Sequence, residues 1–135
     1  SVGAMDMVNF GSPESVPERY SSRTFYPHNP QVTLMRTTPE ENTQLGTTLG
    51  EKLNLAEAPT DVLLPLRGVS AIATEGGPFY DPEADRVLFD SLTTTVTNPH
   101  VTIETMDTDI NDPAFAEAAA EKLIALINNS KGIQK

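Results

Sequence analysis

The sequence contains no cysteine. That excludes disulfide frameworks, zinc–thiolate sites, iron–sulfur clusters and cysteine nucleophiles. It is also short of basic residues. Nine Lys and Arg stand against nineteen Asp and Glu, for a formal net charge of −10. A chain of this sign repels a phosphate backbone, so general nucleic-acid binding is not expected. No apolar run approaches the ~18 residues of a membrane span, and no secretory signal pattern is visible. The expectation is no membrane association and, by default, a cytoplasmic location. The nucleotide motifs of high specificity, G-x-x-x-x-G-K-[ST] and G-x-G-x-x-G, are missing too. The stretch from Gly46 to Lys52 carries glycines, but it lies within a helical stripe and cannot be a phosphate loop.

What is present fits one α/β domain over residues 1–135, with 38% hydrophobic and 21% charged residues. The acidic excess is uneven: between Asp81 and Glu121 there are ten acidic residues and one basic one, Arg86. Such a run is either a solvated face or a source of carboxylates for a divalent cation. Ser1–Phe10 reads as a strand with no lead-in and no initiator methionine. The expectation is therefore that the chain is the C-terminal part of a longer protein. Residues 11–30 hold Pro13, Pro17, Pro27 and Pro30 and are expected to form a long irregular connection.

A polar residue followed by proline opens a helical stretch at Thr38-Pro39, Asp81-Pro82 and Asp112-Pro113. Glu41 completes a capping box with Thr38. The first helix has a stripe of Leu45, Leu49 and Leu53, with Gly46 and Gly50 suggesting close approach to a strand. The second presents Ala84, Val87, Leu88 and Leu92, and the third Phe115, Ala119, Leu123, Leu126 and Ile127. Strand-like runs at 31–36, 61–66 and 101–105 alternate with these helices. Pro65 argues for an edge position or a bulge near its strand's end. The pattern predicts a three-layer α/β fold, a mainly parallel sheet flanked by helices in the manner of a Rossmann half.

In open parallel sheets, ligands bind beyond the carboxyl ends of the strands. That rule selects one rim. Arg36, Thr37 and Thr38 stand before a helix N-terminus, where free N–H groups and a guanidinium suit an anion. The bland alternative is that Thr38 only caps and Arg36 pairs with a surface carboxylate. Arg67 and Gly68 repeat the theme at the next strand end. Gly76 and Gly77 form a turn or a backbone approach to phosphate. Asp107 and Asp109 copy the opening of a calcium loop, but Asp112 and Ala118 stand where that loop needs glycine and glutamate, so only a phosphate-assisted Mg2+ site is left open. Asp6 falls on the Val2-Ala4-Asp6-Val8-Phe10 face by period-two counting. His28 lies in the proline-rich connection. Two function classes follow. One is a nucleotide-binding module with Mg2+ near Asp107 or Asp109. The other is an enzyme on a small phosphorylated or carboxylate metabolite, with His28 or Asp6 moving a proton.

Five blocks carry a resemblance: Gly3–Gly11, His28–Asn42, Leu64–Ser70, Gly76–Pro82 and Ile110–Ala116. Together they resemble the ATP-binding-domain family that includes the tomato mosaic virus resistance protein, whose bacterial and fungal members are uncharacterised. The resemblance implies two α/β subdomains, with this chain as part of the second. It implies ATP as ligand, and the N-terminal subdomain of its own polypeptide as partner. In the plant member it implies binding to the viral replicase. Self-association is left open.

Overall fold

A computed structural model of the chain describes residues 1–132. The strands are β1 (Met7–Phe10), β2 (Phe25–Asn29), β3 (Val32–Arg36), β4 (Thr60–Pro65) and β5 (Val101–Met106). The helices are α1 (Pro39–Leu53), α2 (Pro82–Thr95) and α3 (Pro113–Gly132). The chain is a mixed α/β unit, and each helix starts at the proline that the sequence marks. Thr38 Oγ1 accepts from Glu41 N at 3.2 Å while Glu41 Oε2 accepts from Thr38 N at 2.9 Å, which closes the capping box on α1. Asp81 caps α2 through Ala84 N at 3.0 Å, and Asp112 accepts from Ala114 N at 2.8 Å at the start of α3.

The sheet is not mainly parallel. β1, β3 and β2 form an antiparallel sheet in that order, and among the described residues only β4 and β5 pair in parallel. The physical reason is the connection between β2 and β3. Two residues join them, with Gln31 N bonded to Asn29 Oδ1 at 2.8 Å, and so short a link permits only antiparallel neighbours. β2 also corrects the reading of 11–30 as irregular throughout. Pro27 lies in it, which an edge strand tolerates, and the ladder shifts register between Pro27 and Asn29. Two short 3-10 turns, Pro13–Ser15 and Glu18–Tyr20, occupy the rest of that arm.

The opening strand is shorter than expected. Residues 3–6 turn, with Ala4 at φ 60° and its N–H bonded to Val69 O at 2.9 Å. Period-two counting from Val2 therefore fails: Val2 and Asp6 are buried, whereas Ala4 and Val8 are exposed.

The core joins Leu34, Leu64, Val69, Phe79, Leu88 and Leu92. Gly46 and Gly50 serve a helix contact rather than the expected strand contact. A methyl group on Gly46 would sit 2.4 Å from Leu88 O, and one on Gly50 would sit 2.6 Å from Thr95 Cβ, so the glycines let α1 lie directly on α2. Val62, Leu64 and Ile103 face these two helices. Glu104, paired in register with Leu63, faces the other way and accepts from Lys122 Nζ of α3 at 2.6 Å. α3 is less covered than its stripe predicts. Phe115 and Leu126 are half-buried, but Ala119, Leu123 and Ile127 are exposed. Among the described residues, no helix is long and apolar enough to cross a membrane.

Candidate functional site

Two polar centres lie at the carboxyl ends of the strands, and the sequence reading placed residues in both. The first is buried. Arg36 ends β3 and is 5% exposed. Its Nε donates to Phe79 O at 2.9 Å, its Nη1 to Thr37 Oγ1 at 3.1 Å, and its Nη2 to Asp85 Oδ1 at 2.7 Å and Asp81 O at 3.3 Å. The guanidinium thus ties β3 to the loop after β4 and to the start of α2. Thr37 Oγ1 donates to Met5 O at 2.8 Å and also accepts from Asn42 Nδ2 at 3.1 Å. Thr38 acts as the α1 cap. In this arrangement Arg36 and Thr37 spend their polar groups on the protein itself.

Burial pushes the Asp85 carboxyl above the ordinary carboxylate value. The Arg36 hydrogen bond and charge oppose that shift, and the charges of Asp6 and Asp81 add to it. Asp6 is fully buried. Its Oδ2 accepts from Ser70 Oγ at 2.7 Å, while its Oδ1 has no hydrogen-bond partner among the described residues. Asn42 Oδ1 is likewise buried without a partner among the described residues. Asp85, Asn42 and Ser70 were not read as site residues. For two of them the signal was present. Asp85 stands in the α2 stripe with Leu88, Phe89 and Leu92, and Asn42 in the α1 stripe with Leu45 and Leu49. A polar residue in an apolar stripe must find a partner inside.

The second centre is exposed. Arg67 follows β4 and Asp107 follows β5. Nε and Nη2 of Arg67 reach Oδ1 and Oδ2 of Asp107 at 2.7 and 2.6 Å, a bidentate pair with side chains 66% and 72% exposed. The pairing holds the Asp107 carboxyl below its usual range and raises Arg67 above its own. Backbone bonds set the two segments side by side: Arg67 N to Thr108 O at 3.0 Å and Ile110 N to Gly68 O at 3.0 Å. Gly68 has φ +142°, and a Cβ there would meet Ala73 O at 3.2 Å. Thr74 lies against Gly68 and its carbonyl accepts from Gly77 N at 2.8 Å, which brings the Gly76–Gly77 turn to the same rim. Gly76 has φ +81° in open space, whereas Gly77 packs against Ile72 O.

The remaining candidates do not converge. Asp109 Oδ1 accepts from Asn111 N at 2.8 Å and shapes its own loop. Among the described residues, no three His, Cys, Asp or Glu side chains gather as a metal site. His28 sits on β2, exposed, with its ring 6.5 Å from that of Tyr26. Asp6 is enclosed, so the two proton-transfer candidates occupy opposite kinds of environment.

Residues 1–127 match the family model described as the C-terminal domain of an uncharacterised protein family, UPF0261. A UPF0261 protein of Rhizobium meliloti is 59% identical over 120 residues, which are 88% of this chain and 30% of the relative. One from Clostridium tetani is 52% identical over 125 residues, 93% of this chain and 31% of the relative. The tomato (Solanum lycopersicum) ToMV resistance protein Tm-1 is 38% identical over 135 residues, 99% of this chain and 18% of that protein. A ToMV susceptible protein of tomato matches at the same 38%. The chain spans about 30% of the length of these bacterial relatives. On the match over residues 1–127, the chain belongs to the UPF0261 family, within its C-terminal domain.

Proposed function

We propose that this chain is one part of a nucleotide-binding module, with ATP as the ligand and its phosphates received at the carboxyl ends of β4 and β5. The observation that carries this reading is Arg67, an exposed guanidinium held by backbone bonds where two parallel strands end. Exposed ion pairs are weak, so a phosphate can take the place of Asp107 on Arg67. Gly76 stands in open space on the same rim, where the backbone is free to approach a phosphate. Mg2+ would come with the phosphates. Asp107, once released, is a carboxylate it can use there, in keeping with the few protein ligands that Mg2+ takes. Arg36, Thr37 and Thr38 support the rim from within. The wider fold in this reading is three-layered, with α1 and α2 on one face of a parallel sheet and α3 on the other. The rest of the site, and an N-terminal subdomain, lie in the remainder of a longer polypeptide.

Titration calorimetry with Mg-ATP tests it, on this chain and on the Rhizobium meliloti relative at full length. Heat is expected in at least the longer protein. The substitution matching Arg67→Ala should weaken binding by about 1.5–3 kcal/mol, the range for hydrogen bonds to charged groups, and leave the melting temperature of the free protein unchanged. Absence of heat in both proteins rejects ATP. A phosphorylated or carboxylate metabolite that raises the melting temperature instead selects the alternative, an enzyme on a small anionic substrate.

A further inference from the structure

We propose that the outer edge of β4 is a strand-acceptor site, filled in the family-length protein by an apolar β-strand from the part of the polypeptide outside this chain. Backbone phase identifies the groups involved. Thr60 N donates to His100 O at 2.8 Å and Leu66 N to Met106 O at 2.9 Å. Even-numbered residues of β4 therefore turn their amides toward β5, and Asp61 and Leu63 turn theirs to the opposite edge. Among the described residues, no strand pairs with that edge. Pro65, which has no N–H, falls in the same outward phase, so it takes nothing from the β4–β5 ladder. An unpaired edge of this kind is a template for another strand.

The edge lies along a groove of about 380 Å³. Leu49 and Leu53 of α1 line one side, and Phe115, Leu123 and Leu126 of α3 the other. Leu123 is 58% exposed on this surface. Because α1 and α3 lie on opposite faces of the β4–β5 pair, a strand added here is covered on both faces. It should be a continuous apolar run rather than an alternating one, as in the interior of parallel sheets.

The relatives' length points to the occupant. The matched stretch is 30% of the Rhizobium meliloti protein, so most of that polypeptide is available to supply a strand. Tethering to the same polypeptide makes the strand's effective concentration high without any further contact. A second copy is the less favoured occupant, because each copy brings a net charge of −10 and Asp61 on the edge itself. The proposal is independent of the nucleotide reading, which concerns the strand ends rather than the flank.

Amide hydrogen exchange tests it, with light scattering, on this chain and on the full-length Rhizobium meliloti relative. In this chain Val62 and Leu64 should be protected while Asp61 and Leu63 exchange fast. In the full-length relative, the positions aligned with Asp61 and Leu63 should slow to the rate of their ladder-bonded neighbours. Equally fast exchange at those positions in both proteins overturns the proposal. Protection of Asp61 and Leu63 already in this chain overturns it too, and a dimer mass would then name a second copy as the occupant. Leu63→Pro removes an outward N–H and spares the β4–β5 ladder, while the loss of the leucine side chain and the fixed φ are common to both proteins. The matching substitution should lower the melting temperature of the full-length relative more than Leu63→Pro lowers that of this chain, and an equal drop contradicts the proposal.

Discussion

Arg36 leaves β3 with its guanidinium turned into the protein, where Asp85 on α2 is its counter-ion. The side chains of the pair are 6% and 9% exposed. Removing one member of a buried pair strands the other charge at a cost of about 3–5 kcal/mol. Arg36→Met should therefore destabilise the fold by that order, read from the denaturation midpoint. An exposed anion-binding arginine, as the sequence suggested, would leave stability almost unchanged. Arg36→Met with Asp85→Leu should recover part of the loss but not all, because Phe79 O and Asp81 O still lack their donor. Acid offers a second check. The Asp85 carboxyl is already raised in the folded protein, and without Arg36 the opposing influence is gone. A raised folded value means that the protonated form is favoured by folding, so stability is present at low pH and lost as pH rises through that value. The deficit of Arg36→Met should shrink on acidification toward the range where Asp85 takes up its proton. A deficit that stays constant with pH would show that the lost carbonyl contacts, not the stranded carboxylate, set the cost.

Helix α1 meets α2 through Gly46 and Gly50, and the two positions should answer differently to one methyl group. Alanine relieves about 1 kcal/mol of helix-propensity cost at either site. At Gly46 the added carbon would sit 2.4 Å from a backbone carbonyl, that of Leu88, which cannot rotate away. Overpacking of this kind costs about 1–3 kcal/mol, so Gly46→Ala should be destabilising overall. At Gly50 the nearest atom is Thr95 Cβ at 2.6 Å, which no rotamer change moves either, but the overlap is shallower, so Gly50→Ala should cost less. Paired thermal melts decide the order, and equal costs would mean that the helices shift apart as rigid bodies. The elements themselves differ in how legible they were. The helix starts could be read because each signal is local: a capping side chain, a proline at the first turn, then an apolar period. β2 was hidden because Pro27 and Pro30 mark a loop in any window, and only pairing with β3 makes Phe25–Asn29 a strand. The partner of Arg36 was illegible for a similar reason, since it depends on how residues 66–81 fold back. The misplaced polar residues Asn42 and Asp85 nevertheless announced that the α1 and α2 stripes conceal a polar centre. At the exposed rim, the alternation of strands and helices was enough to bring Arg67 and Asp107 to neighbouring strand ends, as the structure places them.

Across the whole molecule, cohesion is one-sided. The core joins the antiparallel sheet, β4, α1 and α2, with Phe79, Leu64, Leu88 and Leu92 all but inaccessible. On the other face of β4 and β5, α3 contributes no fully buried residue among those described up to Asn129. Its ion pair to Glu104 is a partly exposed contact, which adds little in water. Elements with few buried apolar contacts open at lower free energy than the global unfolding step. Native-state hydrogen exchange under increasing denaturant should therefore show the α3 amides opening well before those of α1 and α2. If the three helices share one exchange isotherm, α3 belongs to the same cooperative unit and the asymmetry of burial has no thermodynamic consequence. In the full-length Rhizobium meliloti relative the same measurement has a further expected outcome. A strand laid along β4 would cover the groove side of α3 and give Phe115, Leu123 and Leu126 an apolar neighbour. Burial at about 25 cal/mol per Å² then lifts the opening free energy of α3 toward that of α1 and α2. Narrowing of the gap between the helices would show that the weakness of α3 comes from its uncovered face. A gap of unchanged width would place that weakness in the helix itself.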